Sequence, residues 1–172
     1  MDGTNKRSIV IRNAELHELD EAAKATLSSY EEYAPLMSDD SWETYSDNIL
    51  NVQSRFKESD LIIAIEDGVI VGSTTFYPKD SDREDSPWPS GWTGLRLVAV
   101  IPENRRHGIG KMLVNECVRR SREQSAVAVG LHTTPLMFVA AAMYESMGFI
   151  RVPSFDFHPS PDFTVMAYRL AL

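Results

Sequence analysis

Positions 101 to 113 read IPENRRHGIGKML and follow directly on an apolar-rich run at 95–100. Arginines, a histidine, a lysine and two glycines thus stand where a strand hands over to a helix. The first N–H groups of a helix have no partner inside it, and the helix dipole adds partial positive charge there. Glycine lets an anion approach the backbone closely. These residues suit capture of a phosphate group. Gly108 and Gly110 would allow that approach, and Arg105, Arg106 and Lys111 would add full charges. From Arg96 to Arg122 the chain carries seven Lys or Arg against two Asp or Glu, within a protein of formal net charge −8. A basic island in an acidic protein suits a polyanionic ligand. A tight loop before a basic helix surface would give the same residues with no ligand at all.

Two familiar phosphate motifs are excluded. Arg105 stands where a Walker loop needs its first glycine, and Met112 replaces its Ser/Thr. A dinucleotide fingerprint would need a third glycine at 113, which is Leu113.

The elements that must position this loop follow from periodicity. Residues 8–12 (SIVIR) predict a first strand. Residues 14–33 predict a helix, with Leu16, Leu19, Ala23 and Leu27 at helical spacing. Ser41 suits the N-cap of a second helix running to about Lys57. Residues 61–66 and 69–77 flank Asp67-Gly68, a hairpin turn signal, and predict an antiparallel pair. Residues 78–92 form a polar, proline-rich loop with four acidic residues and then two tryptophans. It reads equally as a solvated loop or as the wall of a pocket. Strands are expected at 95–100, 126–132, 149–152 and 163–170. Helices are expected at about 108–124 and from Pro135 to a C′ residue at Gly148.

A chain of 172 residues with 43% hydrophobic and 24% charged residues is sized for one domain, 1–172, with a real core. The acidic balance disfavours nucleic acid. One cysteine, Cys117, makes no internal disulfide or metal cluster, and its apolar neighbours predict an inert buried thiol. No stretch approaches the roughly 20 apolar residues of a membrane span, and MDGTNKRSIVIRNAE lacks a signal-peptide core. A cytoplasmic protein without metal or membrane partner is expected.

With the order β-α-α-β-β-β-α-β-α-β-β established, LRLVAVIPENRRHGIGKML and the later AAAMYESMGF resemble the GNAT family of acetyl-CoA-dependent N-acetyltransferases. The resemblance implies an α/β (α+β) fold with a mixed, mostly antiparallel sheet of about six or seven strands and helices on both faces. It implies that strands 95–100 and 126–132 splay apart. It further implies acetyl-CoA as cosubstrate: the loop amides of Arg106, His107, Gly108, Ile109, Gly110 and Lys111, with Arg105, would hold its diphosphate, and Val98, Ala99 and Val100 would pair with its pantetheine arm. A backbone N–H near Val98 would be the oxyanion donor. Tyr144 matches the family's usual acid for the leaving thiolate, although Tyr144 could also simply pack. A homodimer is common in the family.

Two positions depart from the family pattern. Arg96 lies where many members carry an acidic residue, and Met137 where many carry an asparagine. The base therefore stays open among Glu31, Glu32, Asp156, His158 and a water chain. Trp92, Phe155, Asp156 and Phe157, with Glu31, are expected around the acceptor, a plain turn at 155–157 being the alternative. An aspartate between aromatics favours a cationic amine. The expected activity is acetyl transfer to a primary amine, of a small molecule by the charge balance. The other reading is a non-catalytic CoA-binding sensor.

Overall fold

The computed structural model describes residues 8–81 and 86–172. Its strands are β1 (Ile9–Asn13), β2 (Asp60–Glu66), β3 (Val69–Tyr77), β4 (Trp92–Val100), β5 (Ala128–Thr133), β6 (Ile150–Arg151), β7 (Phe157–Ser160) and β8 (Phe163–Ala171). They form one sheet in the order β1-β2-β3-β4-β5-β8-β6, with β7 also on β8. Every neighbouring pair is antiparallel except β4 and β5. The mixed, mostly antiparallel architecture expected from the sequence is thus present, with β7 as a strand that the sequence reading did not include.

The helices are α1 (Leu19–Tyr30), α2 (Asp39–Leu50), α3 (Val52–Arg55), α4 (Ile109–Glu123) and α5 (Phe138–Ser146). The expected first helix, 14–33, resolves into α1 flanked by 3-10 turns, the second of which contains Pro35. The second helix is capped by Ser38, not Ser41: the Ser38 hydroxyl accepts the Ser41 N–H. It does not run to Lys57. Asn51 leaves helical backbone (ψ 50°) and separates α2 from the single turn of α3.

Layering follows from alternation. The continuous apolar run of β2 is buried on both faces. Leu61 and Ile63 meet Leu19, Ala22 and Ala23 of α1. Ile62 and Ala64 meet the α4 side, where Ile109, Leu113, Val114, Cys117 and Val118 are buried. Each Val, Leu or Ile side chain among them contributes about 1.5–3 kcal/mol when fully buried. A third cluster, Tyr30, Ile49, Leu97 and Ala99 with Tyr45 and Met137, fills the α1–α2 side over β4.

One irregularity shapes the centre. Between the pairs Ser73↔Ala99 and Thr75↔Arg96, β4 carries one residue more than β3. This is a β-bulge at Leu97 and Val98, and Leu97 takes the left-handed backbone (φ 55°). The parallel register with β5 runs from Trp92↔Ala128 to Leu95↔Leu131 and stops there. From Arg96 onward β4 and β5 separate, as the resemblance implied.

Gly72 of β3 permits this crowding, because a Cβ there would lie 2.7 Å from the Ala99 carbonyl oxygen. Gly72→Ala is expected to lower stability by about 1–3 kcal/mol through overpacking, read by urea denaturation; an unchanged midpoint would show that the β3–β4 register is not tight there.

Candidate active site at the β4–β5 opening

The opening lies beside the start of α4. Gly108 sits at the helix N-cap in left-handed backbone (φ 78°), and Arg106 is also left-handed (φ 66°). These turns bring the loop onto the helix axis, leaving the first-turn amides of Ile109, Gly110 and Lys111 without intrahelical acceptors. The first helical bond is Met112 N–H to Gly108 O, 3.0 Å. Arg106, His107 and Lys111 are exposed at the rim.

Arg105 is differently placed. Its guanidinium donates to Val100 O (3.1 Å) and Ser29 O (2.8 Å) and pairs with Glu32 (2.7 Å). It ties the loop to β4 and to the end of α1, so its charge is already shared by protein oxygens.

The bulge is held from both sides. The Tyr30 hydroxyl donates to Val98 O (3.1 Å), and Thr74 Oγ1 donates to Arg96 O (3.1 Å). Val98, Ala99 and Val100 lie beyond the last residue paired with β5. At the end of β5, the hydroxyls of Thr133 and of Thr134, just beyond the strand, are buried and have no hydrogen-bond partner among the described residues. Buried orphan hydroxyls at the end of β5, and a β4 segment free on its β5 side, fit a hydrogen-bonding arm laid between the strands.

Tyr144 of α5 is buried and packs against Phe149 (5.9 Å between ring centroids). Burial pushes its phenol well above the ordinary value, reinforced by Cys117 on one layer and Tyr45 and Tyr33 on the other. The phenol therefore keeps its proton at neutral pH. Burial also pushes the Cys117 thiol up to about 12, which makes it inert.

An aromatic cluster lies over the paired part of β4 and β5. Trp88 stacks on His132 (4.6 Å, 22°) and Trp92 (5.7 Å, 15°), and both tryptophans touch Phe155. Its indole lies over Gly94 and Gly130, a register pair of β4 and β5. A cavity of about 330 Å³ opens at this end of the face, lined by Tyr77, Pro78, Trp88, Trp92 and Gly94 among others.

Asp156 is engaged: Arg151 grips both its oxygens at 2.7 Å, and it accepts the Ala167 N–H (2.8 Å). The Arg151 guanidinium holds its carboxyl below the usual range. Phe157 packs edge-on to His132 (5.1 Å). Glu31 is exposed at the end of α1, and His158 is exposed on β7 with Thr164 (3.1 Å).

His132 was not singled out in the sequence. It is half-buried on β5, one residue past the last pair with β4. Its Nε2 lies 2.9 Å from the Phe155 carbonyl. A carbonyl only accepts, so Nε2 carries the proton and the lone pair is on Nδ1. Burial lowers its pKa below 6.5, partly offset by the Phe155 bond.

Among the described residues there is no cluster of three metal-ligating side chains, and no helix is long and apolar enough to cross a membrane. The sequence model of the acetyltransferase (GNAT) family matches residues 19–149. The chain belongs to the GNAT family. N-acetyltransferase family 8 member 3 of Rattus norvegicus is 38% identical to this GNAT chain over 61 residues, 36% of the chain and 27% of that protein's length. PaiA N-acetyltransferase from Thermoplasma acidophilum, solved with coenzyme A, superposes with TM-score 0.73 at 18% identity, covering 96% of this chain and 99% of that one. A GNAT acetyltransferase from Brucella melitensis, solved with acetyl-CoA, gives TM-score 0.62 at 20% identity, with coverages of 96% and 88%. These two likenesses are in fold.

A Cβ at Gly130 would fall 2.5 Å from the Trp88 ring. Gly130→Ala is therefore expected to expel Trp88 and shift tryptophan emission to longer wavelength; unchanged emission would contradict the stacked arrangement.

Proposed function

We propose that this GNAT protein transfers an acetyl group from acetyl-CoA to the primary amine of a small molecule. The observation that carries this reading is the opening between β4 and β5, flanked by the α4 N-terminus, with Tyr144 buried in the core cluster against which Val98 and Val100 pack. Acetyl-CoA, when bound, supplies the activated acyl group as a thioester. The amides of Arg106 to Lys111, with the Arg106 and Lys111 charges, hold its diphosphate. Val98, Ala99 and Val100, with the Thr133 and Thr134 hydroxyls, hold its arm. Arg105 acts by positioning the loop.

Two protons must be managed. As the amine nitrogen becomes an amide it loses one, and in this reading His132 Nδ1, which holds the free lone pair, takes it. The departing sulfur needs one, and Tyr144 Oη holds it. Net, one proton passes from nitrogen to sulfur, and the two side chains return to their starting states by exchange with solvent. The lowered His132 pKa supports the base role, since the imidazole is neutral at pH 7. The raised Tyr144 pKa supports the acid role, since the phenol keeps its proton.

Activity falls where His132 becomes protonated. The acid limb of kcat/KM is expected below pH 6.5, and His132→Gln is expected to abolish that limb. Tyr144→Phe is expected to lower kcat about 100-fold, within the usual range for a positioned acid, with CoA affinity by calorimetry unchanged. Thiol release from acetyl-CoA measures both. CoA binding without thiol release from any amine would overturn the transfer reading in favour of a CoA sensor.

A further inference from the structure

Four half-buried arginines have carboxylate partners among the described residues. Arg12 pairs with Glu18, Arg105 with Glu32, Arg120 with Glu116 and Asp60, and Arg151 with Asp156. Arg55, Arg96 and Arg169 have no carboxylate partner among the described residues, in a chain with 25 acidic side chains against 17 basic ones, and the first two of these lie together. Acids are plentiful, so the absence of one here is informative.

The two guanidiniums flank Asn48. Arg55 donates to the carbonyls of Asn48 and, at 2.9 Å, Ile49, which places it at the C-terminal end of α2. Helix-end carbonyls account for most of its charge, and its Nε is buried without a partner. Arg96 has less. Its side chain makes one long bond, Nη2 to Asn48 Oδ1 at 3.4 Å, and four of its five N–H donors are left over.

Arg96 stands where the chemistry would happen. It follows Leu95, the last β4 residue paired with β5, and precedes the bulge at Leu97. It shares the sheet face of Gly94, Tyr77 and Thr75, towards α2. Its charge bears on Tyr30, Tyr45 and Arg55 of the α1–α3 layer and on His132 of β5. Two like charges brought together are costly, the more so because burial already desolvates Arg55. A ligand carboxylate would relieve that cost and satisfy the guanidinium fork.

We infer that the amine acceptor carries a carboxylate, received by Arg96 and Asn48 beside the β4 bulge, so that the substrate class is amino acids or amino-acid-like acids. This rests on the acetyl-transfer reading above. It also turns the charge argument around. The aspartate expected to attract a cationic amine, Asp156, is occupied by Arg151, whereas the group left without a counterion is an arginine.

The test uses full-length protein, acetyl-CoA and thiol release with a panel of amino acids. Each amino acid is paired with its carboxamide and its decarboxylated amine, and rates are compared per unprotonated amine. The expected result is kcat/KM at least about tenfold higher for the free acids, the scale of one charge-assisted hydrogen bond. Arg96→Gln should bring the three forms close together, mainly by raising KM for the acids. Arg96→Lys should keep part of the preference, and Asn48→Ala should weaken it. Calorimetry with CoA checks that each variant is folded. Transfer to decarboxylated amines with no loss in Arg96→Gln would overturn this inference and leave acetyl transfer standing. No thiol release from any amine, with CoA still bound, would overturn acetyl transfer and this inference together.

Discussion

At Leu97 the central strand turns its backbone to φ 55°, a conformation that costs a non-glycine residue about 1–3 kcal/mol. The surroundings over-determine it. Tyr30 and Thr74 bind carbonyls on either side of Leu97, the Leu97 side chain is buried under Tyr30 and Ile49, and Gly72 leaves room for the Ala99 carbonyl. The added residue ends the β4–β5 ladder at Leu95 and releases Val98 to Val100 from pairing with β5. Without the bulge, β4 and β5 could pair to their ends, and α4, Tyr144 and His132 would surround a closed sheet.

The parts of the fold that were legible are those in which local chemistry and tertiary packing agree. Asp67-Gly68 marked the hairpin, and both residues take positive φ as that turn requires. The Arg106–Gly108 segment marked the entry to α4, and Gly108 takes the left-handed cap position. The boundary errors have physical causes. Ser38 and Ser41 are both good caps by type; Ser38 wins because its oxygen reaches the Ser41 amide. A helix to Lys57 satisfied the apolar period, but Arg55 folds back on the carbonyls of Asn48 and Ile49 and ends α2 early.

The site was legible where it is built from consecutive residues and obscure where it is built across strands. Tyr144 and the loop amides could be named from one segment each. His132 could not, since a histidine in AVAVGLH has no local signal. Its meaning comes from a carbonyl 23 residues away, which fixes the tautomer, and from a bulge on the neighbouring strand. Trp88 likewise acquires its place from Gly94 and Gly130, which no periodicity links. Arg96 looked like a missing acid in the sequence; beside Asn48 and Arg55 it is a cation without a counterion.

Hydrogen–deuterium exchange with and without saturating CoA tests the central claim most directly, because the claim concerns named backbone amides. Protection is predicted at residues 98–100 of β4 and 106–111 before and within the first turn of α4, with the β1–β2 edge unaffected. Bound CoA with no change in exchange at either segment would contradict the account of the opening.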